Sequence, residues 1–422
     1  MNRIWALLLC AALCLSLSGC MGGRSIDELL TAPPLTEEQS AILAALQSTT
    51  TEQISFVYPA TGTNRAAIRE SDLDHDGILE TIAFYSVPAQ SLYGYIAILE
   101  PQENGSFKVT SVTEGLGTDI VSCGIIDSEP AFHVLLVEWS NPGKTANNVA
   151  AYSYTDSNLI LGFEENCTNL ITLDLDTDGH LDFCYITPAA MEEPFSIKYV
   201  KLKNAQLTVE GQRYLDTSVR SVRSVSEGRL ADGTTAVFVD ELHQNGLQTE
   251  VFLLTDEGRM LRAVYSDGYD ILLLSQRPDS SHFVSRTLED VTCFPSCVVP
   301  FENIISPEQW TYWYTISKGA VQHYRSSFVS SEYLYSLCLP DVWLESCIPV
   351  TADTAEGALH IFDTASQTTL LTLCALSVDE DAAAYIEEGF SLIGSNGGFR
   401  YYAQFHCTDE ETAFIRSNFF TL

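Results

Sequence analysis

Two stretches of the chain carry carboxylates at the same spacing: Asp72-Leu73-Asp74-His75-Asp76-Gly77-Ile78-Leu79-Glu80 and Asp174-Leu175-Asp176-Thr177-Asp178-Gly179-His180-Leu181-Asp182. Acids stand at positions one, three, five and nine of each, with glycine at six. Side chains alternating along a tight loop converge on its centre, and carboxylate oxygens are the hard ligands that Ca²⁺ selects. Glycine permits the sharp turn, and the backbone carbonyl at position seven, Ile78 or His180, can complete the shell. The chemistry expected is structural Ca²⁺. Its ligands would be Asp72, Asp74, Asp76, Ile78 and Glu80 in one copy, and Asp174, Asp176, Asp178, His180 and Asp182 in the other. The side chains of His75 and His180 are expected to point into solvent.

An EF-hand opens with the same spacing but needs a bidentate Glu at position twelve and flanking helices. Position twelve is Ala83 in one copy and Tyr185 in the other. The residues after each loop are strand-like, Thr81 to Val87 and Phe183 to Ile186, rich in β-branched and aromatic types. Calcium loops that lead into strands are therefore predicted.

Other chemistry is sparse. The sequence has no His-Glu-x-x-His, no Gly-x-Ser-x-Gly and no phosphate-cradling glycine loop. Gly389 to Gly394 has the wrong spacing for a nucleophile elbow, and Gly394 to Gly398 reads as a turn. Trp310-Thr311-Tyr312-Trp313-Tyr314 would place Trp310, Tyr312 and Tyr314 on one strand face, read as packing of a last blade. Tyr93, Tyr95, Tyr265 and Tyr269 are read as core packing. No catalytic residue is assigned. A glycosidase pair remains the enzymatic alternative, because two carboxylates can meet only in three dimensions.

The elements that must position the loops repeat. Asp72 and Asp174 are 102 residues apart, twice 51. Midway, Val121 to Pro130 leads into the strand-like Phe132 to Val137, a junction without the acids. Gly228 to Gly233 before Ala236 to Val239, and Arg286 to Val291 before Cys297 to Val299, continue the series. Roughly five units of about 50 residues suit four short strands each, as in propeller blades. Ahead of them, Thr36-Glu37-Glu38-Gln39 is a capping box, and Ile42, Leu43 and Leu46 fall at helical spacing over 36–48. Beyond about residue 320 come strands at Ala358–Phe362, Thr369–Ala375 and Phe399–Phe405. Helices are predicted over Glu380–Glu388 and Asp409–Asn418, completing a small α/β or α+β domain.

The loops resemble those of FG-GAP/VCBS repeats, the calcium-loop blades of integrin-like β-propellers. Leu35 to Tyr85, with its Leu-Thr-Glu-Glu-Gln helix and Tyr58-Pro59-Ala60-Thr61-Gly62, is similar to repeat lipoproteins of clostridial-type bacteria. The Leu339-Pro340-Asp341-Val342-Trp343 opening of the C-terminal domain resembles PsbP-like domains. The resemblance implies loops that brace blades, and no catalytic residue. Only two units of about five keep the loop, a departure from the family pattern.

At the N-terminus Arg3, the apolar run Ile4 to Leu17, and Leu17-Ser18-Gly19-Cys20 are similar to a lipoprotein signal with Cys20 as the lipidated first mature residue. The domains expected are a signal peptide (1–19), tether and helix (20–50), a mainly-β propeller-like repeat domain (51–318) and an α/β domain (319–422). Loss of Arg3 lowers Lys+Arg from 21 to 20 against 56 Asp+Glu, taking the net charge from −35 to −36. Such a surface repels nucleic acid and anionic headgroups, so the membrane is met through the lipid anchor only. With 46% hydrophobic and 18% charged residues the chain has the apolar content to fold.

Of 12 cysteines, Cys10 and Cys14 leave with the signal and Cys20 carries lipid, so an odd nine cannot all pair within the chain. Cys184 and Cys374 lie in apolar runs and read as buried thiols, while Cys293 and Cys297 could close a local disulfide. The function expected is a non-enzymatic, lipid-anchored module on the extracytoplasmic face of the cell membrane that binds a surface protein or glycan. The alternatives are a hydrolase of polysaccharide or cell wall and an assembly factor for exported proteins.

Overall fold

The computed structural model describes residues 35–62, 64–128, 132–190, 193–203, 205–255, 261–263, 271–277, 284–296, 309–330, 332–344, 346–351 and 358–422. Residues 1–19, Cys20, Tyr265, Tyr269 and Cys297 to Val299 lie outside this set, as does the side chain of Trp310.

Strands such as Glu80–Ser86, Phe132–Ser140, Asp182–Thr187 and Thr235–His243 are buried at most consecutive positions rather than at alternate ones. A strand of that kind must be covered on both faces of its sheet. The chain satisfies this by stacking antiparallel sheets face to face in sequence order. Sheet 1 holds Ser55–Phe56, Ile68–Ser71, Glu80–Ser86, Gly94–Pro101 and Phe107–Glu114. Sheet 2 holds Asp119–Ser128, Phe132–Ser140, Asn147–Thr155 and Asn158–Cys167. Sheet 3 runs Asn169–Leu173, Asp182–Thr187, Ser196–Lys203 and Gln206–Tyr214, and sheet 4 runs Ser221–Arg229, Thr235–His243, Gly246–Leu254 and Leu261–Ala263. Sheet 5 is built on Arg286–Leu288, Val291–Pro295, Gln309–Ser317, Ala320–Ser330 and Tyr335–Cys338. These five units are the blades of a mainly-β, propeller-like architecture, followed by a small C-terminal α+β unit.

Each gap between neighbouring sheets is a separate apolar layer. Ile82, Phe84 and Ile98 of sheet 1 meet Leu135, Val137 and Tyr152 of sheet 2. The other face of sheet 2 meets Phe183, Tyr185 and Val200 of sheet 3. Cys184, Ile197 and Tyr199 then meet Val237, Val239 and Phe252, and Phe238 and Val251 meet Phe294 and Ile316. The outward face of sheet 1, with Ala83, Tyr85 and Leu99, is covered by Ile42 and Leu46 of helix Glu37–Gln47. That helix has the expected capping box, with Thr36 Oγ1 accepting from Gln39 N and Gln39 Oε1 from Thr36 N, both at 3.1 Å.

The boundary expected at 318/319 falls on the tip of a hairpin. Ala320–Ser330 pairs antiparallel with Gln309–Ser317, so sheet 5 continues past it. The final strand Phe419–Thr421 returns to pair with Tyr335–Cys338, and Phe328, Tyr335 and Leu337 of sheet 5 share a core with Leu359, Leu371, Tyr401 and Ile415. The C-terminal unit thus grows out of the fifth blade. Its own sheet holds Cys347–Thr351, Leu359–Asp363, Thr368–Ser377, Phe399–Phe405 and Ser391–Ser395, with helices Ala383–Glu387 and Asp409–Ser417. Ser391–Ser395 replaces part of the turn expected at Gly394 to Gly398, because its backbone pairs with Phe399–Phe405. Trp313, not Tyr312, is the fully buried aromatic of Gln309–Ser317, with Nε1 donating to Ser327 Oγ at 2.8 Å. Cys123, Cys167, Cys184, Cys293, Cys338, Cys347 and Cys407 are free thiols.

One junction depends on missing side chains. Trp139 is fully buried between sheets 1 and 2, and its indole lies against Gly94 and Gly115. A Cβ on Gly115 would sit 2.4 Å from Trp139 Cη2. Gly115→Ala is therefore expected to cost on the order of 2 kcal/mol by overpacking. Gly124→Ala, whose Cβ meets nothing within 4 Å, should leave the urea midpoint unchanged or slightly raised.

Candidate metal centres

Both acidic loops join the first long strand of a sheet to the second, Ile68–Ser71 to Glu80–Ser86 and Asn169–Leu173 to Asp182–Thr187. A ladder ends there, and its freed N–H groups need local acceptors. In the first loop Asp72 Oδ2 accepts from Gly77 N at 3.2 Å, Asp74 Oδ1 from Asp76 N at 3.3 Å and Asp76 Oδ1 from Ile78 N at 2.7 Å. In the second, Asp174 accepts from Asp178 N at 3.1 Å and Gly179 N at 3.0 Å, and Asp178 Oδ1 from His180 N at 2.9 Å. Positions four and six are left-handed in both, with φ of 60° and 87° at His75 and Gly77 and 58° and 90° at Thr177 and Gly179. The two loops are one local structure used twice.

Carboxylate oxygens of Asp72, Asp74 and Glu80 lie within 4.8 Å of one another, and so do those of Asp174, Asp176 and Asp178. Asp76 and Asp182 stand outside these close sets. Asp72 Oδ1 and Asp176 Oδ1 are buried and have no hydrogen-bond partner among the described residues. A buried carboxylate oxygen left unpaired is costly, and a hard cation satisfies it. The all-oxygen donor set in a tight loop fits a hard metal cation by that test.

Position nine separates the copies. Glu80 is buried, and its Oε2 accepts from Leu73 N at 2.6 Å. Burial raises its pKa from the ordinary glutamate value, the Leu73 N–H opposes this, and Asp74, Asp76 and Asp72 add to it. Asp182 is one methylene shorter, and its Oδ2 accepts from Tyr199 Oη at 2.5 Å. Lys201 Nζ reaches into the second loop, donating to Asp176 Oδ2 and, at 2.7 Å, to Asp178 Oδ2. It lies 3.8 Å from Asp182 Oδ2. Burial works against the Lys201 ammonium, but the bonds to Asp176 and Asp178 outweigh it and move its pKa upward. Burial pushes Asp182 up to about 7, against the pull of Tyr199 and Lys201.

The loops also tie neighbouring sheets together. His133 Nδ1 donates to the Asp72 carbonyl at 2.6 Å, and its ring lies 4.1 Å from that of His75. Leu181 N donates to Asp127 Oδ1 at 3.4 Å, and His180 Nδ1 lies 3.5 Å from Asp127 Oδ2. Asp127 and His133 are register partners at one end of sheet 2, so both loops meet the same pair. His75 is exposed, as expected, with its ring tilted against that of His133. His180, expected to point into solvent, faces Asp127 instead because the next sheet packs within reach. Sequence reading did not single out Lys201, Tyr199, Asp127 or His133 as partners of the loops. A lysine within the run Ile197 to Leu202 was the one local signal.

Further carboxylates are structural. Glu138 accepts from Ser122 Oγ at 2.9 Å and Asn147 Nδ2 at 2.7 Å. Asp240, 102 positions on, accepts from Ser224 Oγ at 2.8 Å, Thr249 Oγ1 at 2.7 Å and the Arg277 guanidinium at 2.7 Å. Alternate sheets therefore repeat the same device: loops in 1 and 3, a buried serine–acid pair in 2 and 4. In sheet 4, Ser218 Oγ, His243 and Glu241 line up at 2.8 Å and 3.2 Å. Ser218 Oγ donates to Asp216 Oδ1 at 2.6 Å, so its proton is committed to the turn and not to the imidazole. Burial lowers the His243 pKa; burial, then the Glu250 charge, lifts that of Glu241 well above the usual range.

No family model matches the chain, and no curated protein does. Among solved structures it is similar to a protein from Lactobacillus plantarum, at 9% identity and a TM-score of 0.31, over 75% of this chain and 94% of that one. It is also similar to exotype rhamnogalacturonan lyase YesX, at 10% identity and a TM-score of 0.26, over 67% of this chain and 60% of the lyase.

Thr177 is an exposed β-branched residue at φ 58°, a conformation that Asn adopts readily. Thr177→Asn should raise the unfolding free energy by about 1 kcal/mol in chemical denaturation. Glu241 titrates with its folded pKa raised, so its contribution is complete below the ordinary carboxyl pKa and is lost as pH rises through the folded value. Glu241→Gln should therefore melt with the wild type at pH 4 and above it at pH 8.

Proposed function

We propose that this chain is a lipid-anchored extracytoplasmic protein whose stacked sheets are braced by Ca²⁺ and offer a non-enzymatic surface for binding protein or glycan. The observation that carries the brace is the pair of contacts from the acidic loops to sheet 2, through Asp72 to His133 and through Leu181 to Asp127. An ion that orders such a loop also orders the junction between its sheet and the next. Asp72, Asp74 and Glu80, with Asp76 and the Ile78 carbonyl beside them, would hold it in the first loop. Asp174, Asp176 and Asp178 are the converging acids of the second loop. The ion would supply positive charge and directed coordination, the role of a structural cation rather than a catalyst.

The anchor reading rests on the sequence around Cys20, and no described helix is long and apolar enough to cross a membrane. Support for binding comes from the loop rim, which exposes Ile78, Leu79 and Leu181. Exposed apolar side chains among fixed acidic loops suit contact with a partner.

Saturating Ca²⁺ should raise the melting temperature of the mature chain, and EGTA should remove the gain. A concentration of 100 times the dissociation constant corresponds to about 2.7 kcal/mol. Asp74→Ala should abolish most of the shift, and melts that coincide with and without Ca²⁺ would discard the brace. For the binding role, glycan arrays and surface-protein capture should show Ca²⁺-dependent retention. Turnover of a polysaccharide by the purified chain would replace that role with the hydrolase reading.

A further inference from the structure

The two acidic loops are alike in backbone and unlike in the side chains that face them across the sheet. In sheet 3, Phe183 pairs with Val200, which puts Lys201 beside Asp182. In sheet 1, Thr81 pairs with Leu99, and the residue after Leu99 is Glu100. The same register position therefore carries a cation behind the second loop and an acid behind the first. Tyr199, paired with Cys184, bonds Asp182, whereas its counterpart in sheet 1 is Ile98, paired with Ile82. The second loop has a hydroxyl and an ammonium directed at its acids; the first has an isoleucine and another carboxylate.

Lys201 does more than lie near the loop. Its side chain is 9% exposed, its Nζ bonds Asp176 and Asp178, and Asp182 lies 3.8 Å away. Asp176 and Asp178 are two of the three acids whose oxygens converge in that loop. A metal entering there would compete for the same oxygens and leave a buried ammonium without its partners, a costly state. Each loop keeps one unpaired buried oxygen, Asp72 Oδ1 or Asp176 Oδ1, but no lysine or arginine forms an ion pair with Asp72, Asp74 or Glu80 of the first among the described residues.

We infer that the second loop is held from within by Lys201, which takes the place of the divalent ion between Asp176 and Asp178, so that the chain takes Ca²⁺ at the first loop and holds the second closed without metal. This rests on the calcium reading above and makes the two loops unequal. One junction of the stack is then sensitive to external Ca²⁺, and the other is braced permanently.

Titration with Ca²⁺ alone, by calorimetry and by Tb³⁺ luminescence, reads the number of sites on the mature chain. The wild type should bind one ion at the tight site, and Asp74→Ala should bind none with comparable affinity. Any binding at the second loop should be on the order of a hundredfold or more weaker. Lys201→Met should gain a second ion, and Asp176→Asn placed on top of it should remove that ion again. Circular-dichroism melts report whether the Lys201 variant folds; if it does not, the Asp74→Ala result on the wild-type background decides. Two equivalent ions on the wild type, one tight ion surviving Asp74→Ala, or a folded Lys201→Met chain with unchanged stoichiometry would each overturn the inference and leave Ca²⁺ binding intact. No ion on either chain would overturn the calcium reading and this inference together.

Discussion

The need to cover strands that are apolar on both faces governs this structure. The second and third strands of each blade would expose a continuous hydrophobic surface if a sheet stood alone, and burial of that surface is the main favourable term in folding. Each sheet becomes the partner of the next, and the series must be closed at an end where no further sheet continues it. At sheet 1 the amphipathic helix Glu37–Gln47 does this with Ile42 and Leu46. At sheet 5 the chain passes on through Ala320–Ser330 and Tyr335–Cys338 into the α+β unit, whose Leu371, Tyr401 and Ile415 share a core with Phe328 and Tyr335.

Face-to-face stacking determines where the loops lie. Each turn from the first long strand of a blade to the second comes to the same end of the stack, so a loop can touch the sheet beside it. Asp72 then reaches His133, and Leu181 reaches Asp127, on adjacent strands of sheet 2. Acids that would repel one another in isolation are held together because their backbone N–H bonds and the sheets behind them leave no other arrangement. The cost of that crowding is visible at Glu80, where burial and three neighbouring aspartates all favour the neutral acid.

The polar interior has a two-blade rhythm. Asp72 and Asp174, and likewise Glu138 and Asp240, are 102 residues apart. Within the repeat the solutions have diverged: Glu138 is satisfied by neutral groups, whereas Asp240 is paired with the Arg277 guanidinium. Divergence of the same kind distinguishes the two loops, one with Glu100 at the register position where the other has Lys201. Removing one partner of such a buried pair costs more than either isolated bond contributes, since it strands a charge.

Residue type and spacing by themselves determined the loops, the strands that come after them, the capped helix and the 102-residue period. These depend on short-range rules: carboxylates at alternate positions, glycine where φ is positive, β-branched runs, and an acceptor three residues before its donor. The C-terminal boundary was misplaced because a hairpin tip such as Lys318-Gly319 has the composition of a linker, and only pairing shows that its strands belong to one sheet. His180 looked solvated because a loop read in isolation has solvent on its far side. Tertiary structure alone decided that Asp127 and His133 receive the loops, that Gly115 makes room for Trp139, and that Lys201 lies against Asp176. Those contacts join residues 24 or more positions apart, across strands and sheets whose register no local pattern specifies.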